Sequence, residues 1–386
     1  MREGMNVAAK TVLILGGGIG GIATARALRR RLPRAHRIVL VNREREHVFA
    51  PSLLWLMVGQ RTAESIGRPL GRLERKGIEV RFGDIERIDP ERRAVTVGGE
   101  TLTADFLVVA LGAALDPQAI PGLPDAGHNF YTLQGAQSLW EALQRFREGR
   151  LVVLTAAPAY KCPAAPYEAA MLLDGFCRER GIRDTVRIDV YAAEPAPMGV
   201  AGPDVSAAVK QLLAAKGIAY HPEHQVARVD PATKRLTFAN GAEAEFDCLA
   251  YVPPHVPPDV VRQSGLGGES GWVSVDRYTL ETGFPRVYAL GDVVSIPLTV
   301  GKPLPKAGVF AHGEGEVVAR NIARAITGAG AAARFDGHGE CFIEIGGGKA
   351  GFGSGNFYAE PKPMVTLRGP GWRWHIAKVL FEKSWL

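Results

Sequence analysis

The sequence predicts an α/β fold of two Rossmann-like domains, the second inserted into the first, followed by a carboxy-terminal region associated with a membrane or another interface. Three observations predict it. A short apolar strand, Val12 to Leu15, runs straight into a glycine loop that contains Gly16, Gly18, Gly20 and Gly21. A second strand of the same kind, Leu151 to Leu154, is followed by Ala156, Ala157 and Pro158, with no glycines. A third, Phe284 to Leu290, ends in Gly291-Asp292, so that the first domain resumes after an insertion. The expected boundaries are 9–116 for the first part of the first domain and 117–270 for the inserted domain. They are 271–330 for the rest of the first domain and 331–386 for the carboxy-terminal region.

Val12 to Leu15 is wholly apolar, as a parallel strand buried on both faces requires. Gly16, Gly18 and Gly21 then fall at the GxGxxG spacing. The first glycine allows the tight turn, the second lets backbone approach a pyrophosphate, and the third lets the following helix pack on the strand. That helix begins near Ile19, carries Ala23, Ala25 and Ala27, and is followed by a strand from Arg37 to Val41. Its positive end faces the phosphates. A carboxylate is expected after that strand to hold the adenosine ribose; Asn42 stands there, with Arg43 beside it and Glu44 next. Asn42 can bond a ribose hydroxyl but has no charge to repel a 2′-phosphate, and Arg43 and Arg45 would tolerate one.

Three further segments bear on the cofactor. Asp105 to Val109 reads as a strand and ends in Ala110-Leu111-Gly112-Ala113; Phe284 to Leu290 ends in Gly291-Asp292; Lys306-Ala307-Gly308 opens a helix that continues through Val317, Val318 and Ile322. These resemble the ATG-like turn, the Gly-Asp motif and the closing helix of two-dinucleotide-domain flavoproteins. The resemblance implies bound FAD, with Asp292 accepting from the ribityl chain and the helix start presenting amides to the flavin ring. Read by itself, Asp292 is equally a helix cap.

In the inserted domain, a helix over Ala169 to Arg180 and a strand over Val186 to Tyr191 keep the strand–helix–strand order. The missing glycines disfavour a second pyrophosphate and hence NADH, although Glu194 stands where a ribose carboxylate would be. The loop reads Ala159-Tyr160-Lys161-Cys162-Pro163-Ala164-Ala165-Pro166-Tyr167-Glu168. Cys162 lies just before a helix, whose amino end and neighbouring Lys161 favour a thiolate. Cys341 opens an apolar strand after a polar turn. The residues alone leave open a redox pair or two unrelated small hydrophobes. Cys177 and Cys248 sit among apolar neighbours and read as core.

The bulk numbers narrow the class. The chain has 386 residues, enough for two domains, 46% hydrophobic residues and a formal charge of +6 without runs of like charge. Nucleic acid is not expected as a partner, while an anionic lipid or substrate is compatible. Four cysteines are too few for a disulfide-scaffolded secreted protein, and their spacings match no zinc site. No metal is expected. The amino end lacks a secretory stretch, and no run of 18 apolar residues occurs.

Taken together, the residues resemble the sulfide:quinone oxidoreductase and flavocytochrome c sulfide dehydrogenase family over nearly the whole chain. The resemblance is carried by the glycine loop, Phe49-Ala50-Pro51-Ser52 with Trp55 and Gly59, Cys162-Pro163-Ala164-Ala165-Pro166-Tyr167-Glu168, Leu290-Gly291-Asp292, Pro305 to Ala311, Cys341, and Gly351 to Phe357. It implies a Cys162–Cys341 redox pair. Sulfide attacks the disulfide and leaves a persulfide on one cysteine. The other thiolate passes electrons to FAD, which reduces a quinone. Two family features are missing: a third cysteine between Gly112 and Phe130, and a histidine in Glu194 to Gly199. His255 is a candidate proton carrier or a loop residue. The end, Gly371 to Leu386, is aromatic and basic; it reads as a helix lying on a membrane, or packed on the body or on another subunit. Phe352, Phe357 and Trp385 are candidates to line a quinone entry. The implied partners are sulfide, quinone and a peripheral membrane surface on an otherwise cytoplasmic protein, with a homo-oligomer open. The competing readings are a type II NADH:quinone dehydrogenase-like flavoenzyme and a non-catalytic flavin/disulfide redox sensor.

Overall fold

The computed structural model describes residues 8–386; residues 1–7, part of the amino end read as lacking a secretory stretch, lie outside the described residues. The elements that matter here, in chain order, begin with β1 (Thr11–Leu15), α1 (Ile19–Arg31), β2 (Arg37–Asn42), β3 (Glu79–Phe82) and β4 (Phe106–Val109). Next come β5 (His128–Asn129), β6 (Gly149–Thr155), α2 (Ala165–Glu179), β7 (Val186–Ala192), α3 (Pro203–Ala214), β8 (Ile218–His221) and β9 (Cys248–Val252). The chain closes with β10 (Val287–Ala289), α4 (Gly308–Thr327), β11 (His338–Glu344), β12 (Ala350–Asn356), β13 (Met364–Gly371) and α5 (Trp372–Trp385). No helix among the described residues is long and apolar enough to cross a membrane.

The chain forms two compact units. The first runs through His47 and adds Pro69–Ala114 and Pro257–His338; the second is Val48–Arg68, Leu115–Val256 and Gly339–Leu386. The first unit holds a five-stranded parallel sheet in the order β10-β4-β1-β2-β3. Its central strands β1 and β4 are apolar and buried along nearly their whole length, as strands covered on both faces are. β4 and β10 are neighbours although the inserted segment separates them in sequence. Helices α1 and α4 pack closely through small residues: a Cβ on Gly20 would come 3.4 Å from the Ala311 Cβ, and one on Gly315 would come 2.7 Å from the Thr24 Oγ1.

The second unit repeats the wind, with a five-stranded parallel sheet in the order β5-β9-β6-β7-β8. Helix α2 begins at Ala165, four positions before the expected Ala169, because Pro166 sits in its first turn, where no backbone N–H is needed. Every residue of α2 from Ala165 to Cys177 is buried. A three-stranded sheet, β11-β12-β13, belongs to the same unit, and Cys341 falls inside β11 instead of opening it.

Helix α5 packs on the second unit with an inverted pattern. Lys378 and Glu382 are buried, while Trp372, Ile376 and Leu380 stand 69%, 46% and 60% exposed. The exposed apolar residues recur every four positions and form one stripe. Its inner face is held by charge: Arg61 forks onto Glu382 at 2.8–3.0 Å, and the Ser52 hydroxyl donates to the same carboxylate.

Candidate functional site

In the first unit, the loop after β1 is shaped for a phosphate-bearing ligand. Gly16 has φ +104°, and a Cβ there would lie 2.3 Å from the Ala110 carbonyl oxygen. A Cβ on Gly21 would lie 1.9 Å from the Gly16 carbonyl oxygen. Gly18, by contrast, has nothing within 4 Å of the same position, so the loop is closed on the protein side and open at its middle glycine. Gly308 opens α4 beside Ile19, the first residue of α1, with only 2.6 Å between a built Cβ and the Ile19 Cδ1. Two helix amino ends therefore meet at the open glycine, and their unpaired N–H groups and dipoles favour an anion. Among the residues of the Ala110 to Ala113 turn, Gly112 has φ +69° and open space around it. These features fit a dinucleotide pyrophosphate.

Two residues support this loop. Asn42 Oδ1 accepts from the Gly17 N–H at 2.7 Å, and its Nδ2 donates to the Glu44 carbonyl at 2.7 Å. Asn42 therefore braces the glycine loop. His47 is buried and donates from Nδ1 to the Gly17 carbonyl at 3.0 Å. Burial lowers its pKa, which keeps the ring neutral. Arg43 is exposed and pairs with Glu44 at 3.0 Å.

Next to the glycine loop, where a Cβ on Gly20 would lie 2.4 Å from the Leu290 Cδ1, Gly291 and Asp292 follow β10. The Gly291 N–H donates to Glu314 Oε2 at 2.6 Å. Lys306 donates to the carbonyls of Asp292 and Val294 at 2.7 and 3.0 Å and lies 3.6 Å from the centre of the Trp272 ring. Gly291, Lys306, Ala307, Phe310 and Glu314 line a small cavity. Burial, with the Asp292 charge, pushes the Glu314 carboxyl up to about 7, and burial brings Lys306 down to about 8.

The sign of the resulting pH effect follows. The fold favours protonated Glu314, so its stabilising contribution is complete below its ordinary value of 4.5 and is lost as pH rises through about 7. The difference is worth about 3 kcal/mol. Lys306 acts in the opposite sense, but only above about 8. The unfolding midpoint of the flavin-free protein is expected to fall between about pH 5 and 7.5, and Glu314→Gln to flatten that slope. Parallel thermal melts of the two proteins across this range check it.

In the second unit, Cys162 and Cys341 come together. Both are partly buried thiols that pack against the same apolar cluster. They are near enough that charge on Cys162 acts on Cys341. Burial pushes the Cys341 thiol well up, and Cys162 and Glu168 push it further, while Lys378 opposes them. Cys162 sits in a left-handed backbone conformation, φ +53°, between the end of β6 and the start of α2. Its carbonyl accepts from the Ala165 N–H at 2.9 Å and from the Tyr131 hydroxyl at 3.3 Å.

Beside the cysteines lies a buried charge cluster. Lys378 Nζ is 2.5 Å from Glu168 Oε2, which also accepts from the Glu344 N–H at 3.2 Å. His375 Nδ1 lies 3.1 Å from both Glu344 oxygens. Burial lifts the Glu344 carboxyl against the pull of Lys378 and His375. Burial opposes the Lys378 charge, but Glu168 and Glu344 outweigh it and hold its pKa high. Lys378 and Arg61 also lie 5.1 and 4.4 Å from the Trp55 ring.

A nucleotide-shaped loop in one unit and a thiol pair in the other suggest a redox enzyme, and comparison with known proteins agrees. Residues 10–315 match the pyridine nucleotide-disulphide oxidoreductase family. The chain belongs to this family. Within it, the chain is homologous to sulfide:quinone oxidoreductases. It is 28% identical to the sulfide-quinone reductase of Aquifex aeolicus, over 98% of this chain and 90% of that protein. It is 27% identical to the mitochondrial sulfide:quinone oxidoreductase of Mus musculus, over 74% of this chain and 66% of that protein, slightly under two thirds of its length. The solved structure of the Aquifex aeolicus sulfide:quinone oxidoreductase superposes with a TM-score of 0.88, covering 97% of this chain and 90% of that one.

Cys177 and Cys248 are buried, with thiols raised to about 11 and about 12 by burial, which makes them inert packing groups. His255 donates from Nδ1 to the Pro253 carbonyl at 2.9 Å and packs edge-on against Tyr131. Phe352 stacks on Trp374 at 4.7 Å and meets Phe342 at 5.2 Å, and Trp385 stacks on Phe49 at 6.1 Å. Sequence reasoning named neither the Lys378 cluster nor His47 and Glu314.

Proposed function

We propose that this oxidoreductase oxidises sulfide and reduces a quinone, using FAD held by the first unit and the Cys162–Cys341 pair of the second. The observation that carries the reading is the thiol pair itself, because type II NADH chemistry has no use for it. The named homologues support the substrate assignment. Bound through the glycine loop and the two helix amino ends, with Asp292 and the start of α4 at the flavin, FAD would supply the two-electron acceptor between thiolate and quinone.

The residues favour one direction of attack. In the oxidised pair, HS⁻ attacks the Cys341 sulfur. The Cys162–Cys341 bond breaks as the persulfide bond forms on Cys341, and Cys162 leaves with the electron pair as a thiolate. Attack this way round puts the leaving thiolate ahead of a helix amino end, whose dipole favours the negative charge. Cys341 is held well up by burial, whereas Cys162 sits at the amino end of α2. Those two electrons are the ones passed on, and the sulfur departs as a polysulfide or on an acceptor.

Phe381 meets Phe49 at 5.9 Å and Phe342 at 6.3 Å; the aromatic set Phe49, Phe342, Phe352, Phe381 and Trp385 is our candidate for the quinone wall, and the exposed stripe Trp372, Ile376 and Leu380 for the membrane contact. The test measures sulfide-dependent reduction of a short-chain quinone analogue in solution and of a long-chain quinone in vesicles. Wild type is expected to reduce both. Leu380→Asp is expected to lose about tenfold with vesicles and to keep the soluble activity. Reduction of neither quinone by wild type overturns the function; equal rates for wild type and Leu380→Asp in vesicles overturn the membrane contact.

A further inference from the structure

The second Rossmann-like sheet has lost its glycines but kept the acidic residue after its second strand, and the structure shows what that residue now does. Glu194 follows β7, and its Oε1 accepts from the Tyr160 hydroxyl and, at 2.6 Å, from the Tyr167 hydroxyl. Its Oε2 accepts from the Thr155 hydroxyl at 2.9 Å. Thr155, the last residue of β6, in turn accepts from the Ala193 N–H at 3.2 Å. Tyr160, Tyr167 and Thr155 are all buried, and Tyr220 packs edge-on against Tyr167 at 6.0 Å. The carboxyl ends of β6 and β7 are where a doubly wound sheet receives its ligand. Here three protein hydroxyls occupy the carboxylate that ribose hydroxyls would otherwise take.

Tyr160 is also part of the loop that carries Cys162. That loop holds two non-glycine residues in the left-handed region, Ala159 at φ +64° and Cys162 at φ +53°. Such conformations persist only where their surroundings over-determine them. Tyr160 stands between the two, and its hydroxyl is tied to Glu194, beyond the next strand in sequence. The Cys162 carbonyl is tied separately, to the Tyr131 hydroxyl and the Ala165 N–H.

We infer that Glu194 is a positioning residue for Cys162: by anchoring Tyr160 it holds the left-handed loop that places the Cys162 sulfur. A residue position that would serve a nucleotide thereby serves a thiol. The inference takes from the proposed function only that Cys162 is the reactive thiol, and its test does not require sulfide turnover.

The test uses the purified, fully reduced flavoprotein as wild type, Tyr160→Phe, Glu194→Gln and Glu194→Ala. Alkylation of Cys162 by iodoacetamide is followed with time and pH by peptide mass spectrometry. Alkylation of Cys341 and the unfolding midpoint serve as controls. Tyr160→Phe removes one oxygen atom and is expected to raise the Cys162 rate about fivefold, the scale of one hydrogen bond. Glu194→Ala is expected to match or exceed it, and Glu194→Gln, which still accepts from a phenol, to stay within about twofold of wild type. Rates within about twofold of wild type for folded Tyr160→Phe overturn the inference, whatever happens to the melting point. A wild-type protein that alkylates normally but does not oxidise sulfide counts against the proposed function and leaves this comparison to stand on its own result.

Discussion

Lys378→Met is expected to destabilise the second unit by about 3–5 kcal/mol, because it removes the cation from a buried cluster and leaves two carboxylates behind. Glu168 Oε2 loses its 2.5 Å partner, and Glu344 loses the larger of the two positive influences, Lys378 and His375, that oppose the effect of its burial. Methionine keeps the stem and the packing, so the effect reports charge and not a cavity. The pH dependence carries the signature. A buried carboxyl whose pKa is raised lends stability at low pH and loses it as pH rises through the folded value. The gap between variant and wild type is therefore expected to widen as pH rises from about 5 to 8. Adding Glu168→Gln to Lys378→Met removes one of the stranded charges and is expected to recover part of the loss, a coupling that a double-mutant cycle reads directly. Equal melting points for wild type and Lys378→Met at neutral pH would show that the cluster carries no such energy.

The second large effect is on turnover. Cys162→Ser and Cys341→Ser are each expected to lower sulfide oxidation by about a thousandfold, and the double variant to lose no more than either single one, as residues acting as one unit do. Flavin content and melting point are expected to stay near wild type. Cys177→Ser and Cys248→Ser provide the comparison: both thiols are buried and raised, so rates are expected to stay within about threefold. Rapid-mixing measurement of flavin bleaching by sulfide, variant against wild type, checks all of these. A Cys341→Ser protein bleached at the wild-type rate would remove Cys341 from the relay.

What the sequence made legible was local. A strand, a glycine loop and a helix are contiguous, and the steric need at Gly16 and Gly21 is written in their spacing. The small residues of α1 announce a close helix partner, although not which one. The Cys162 loop was visible because it stands where glycines are due. The buried cluster was not visible, because Glu168 and Lys378 are 210 residues apart and Glu168 and Glu344 are 176 apart, on a helix, a second helix and a strand. Nothing periodic joins them. The tail was read as a basic, aromatic helix on a membrane, on the body or on another subunit; which side chains turn inward was not legible, and Lys378 points to Glu168 while Trp372, Ile376 and Leu380 face out. Asn42 was read from its position as a ribose contact; its bonds to Gly17 and Glu44, which brace the loop, were not legible in the sequence. Glu194 kept the position of a ribose carboxylate while its partners became Tyr160, Tyr167 and Thr155, a change that only the three-dimensional contacts reveal.

Sulfide, acting through the Cys162–Cys341 pair, is expected to reduce the flavin of this chain. The most direct measurement is an anaerobic titration of the purified, oxidised protein, watching the blue absorption band of the flavin. Stoichiometric sulfide is expected to bleach it, an added quinone analogue to restore it, and NADH at the same concentration to leave it unchanged on the same timescale. Bleaching by NADH with no response to sulfide would contradict the account and return the second Rossmann-like sheet to nicotinamide chemistry.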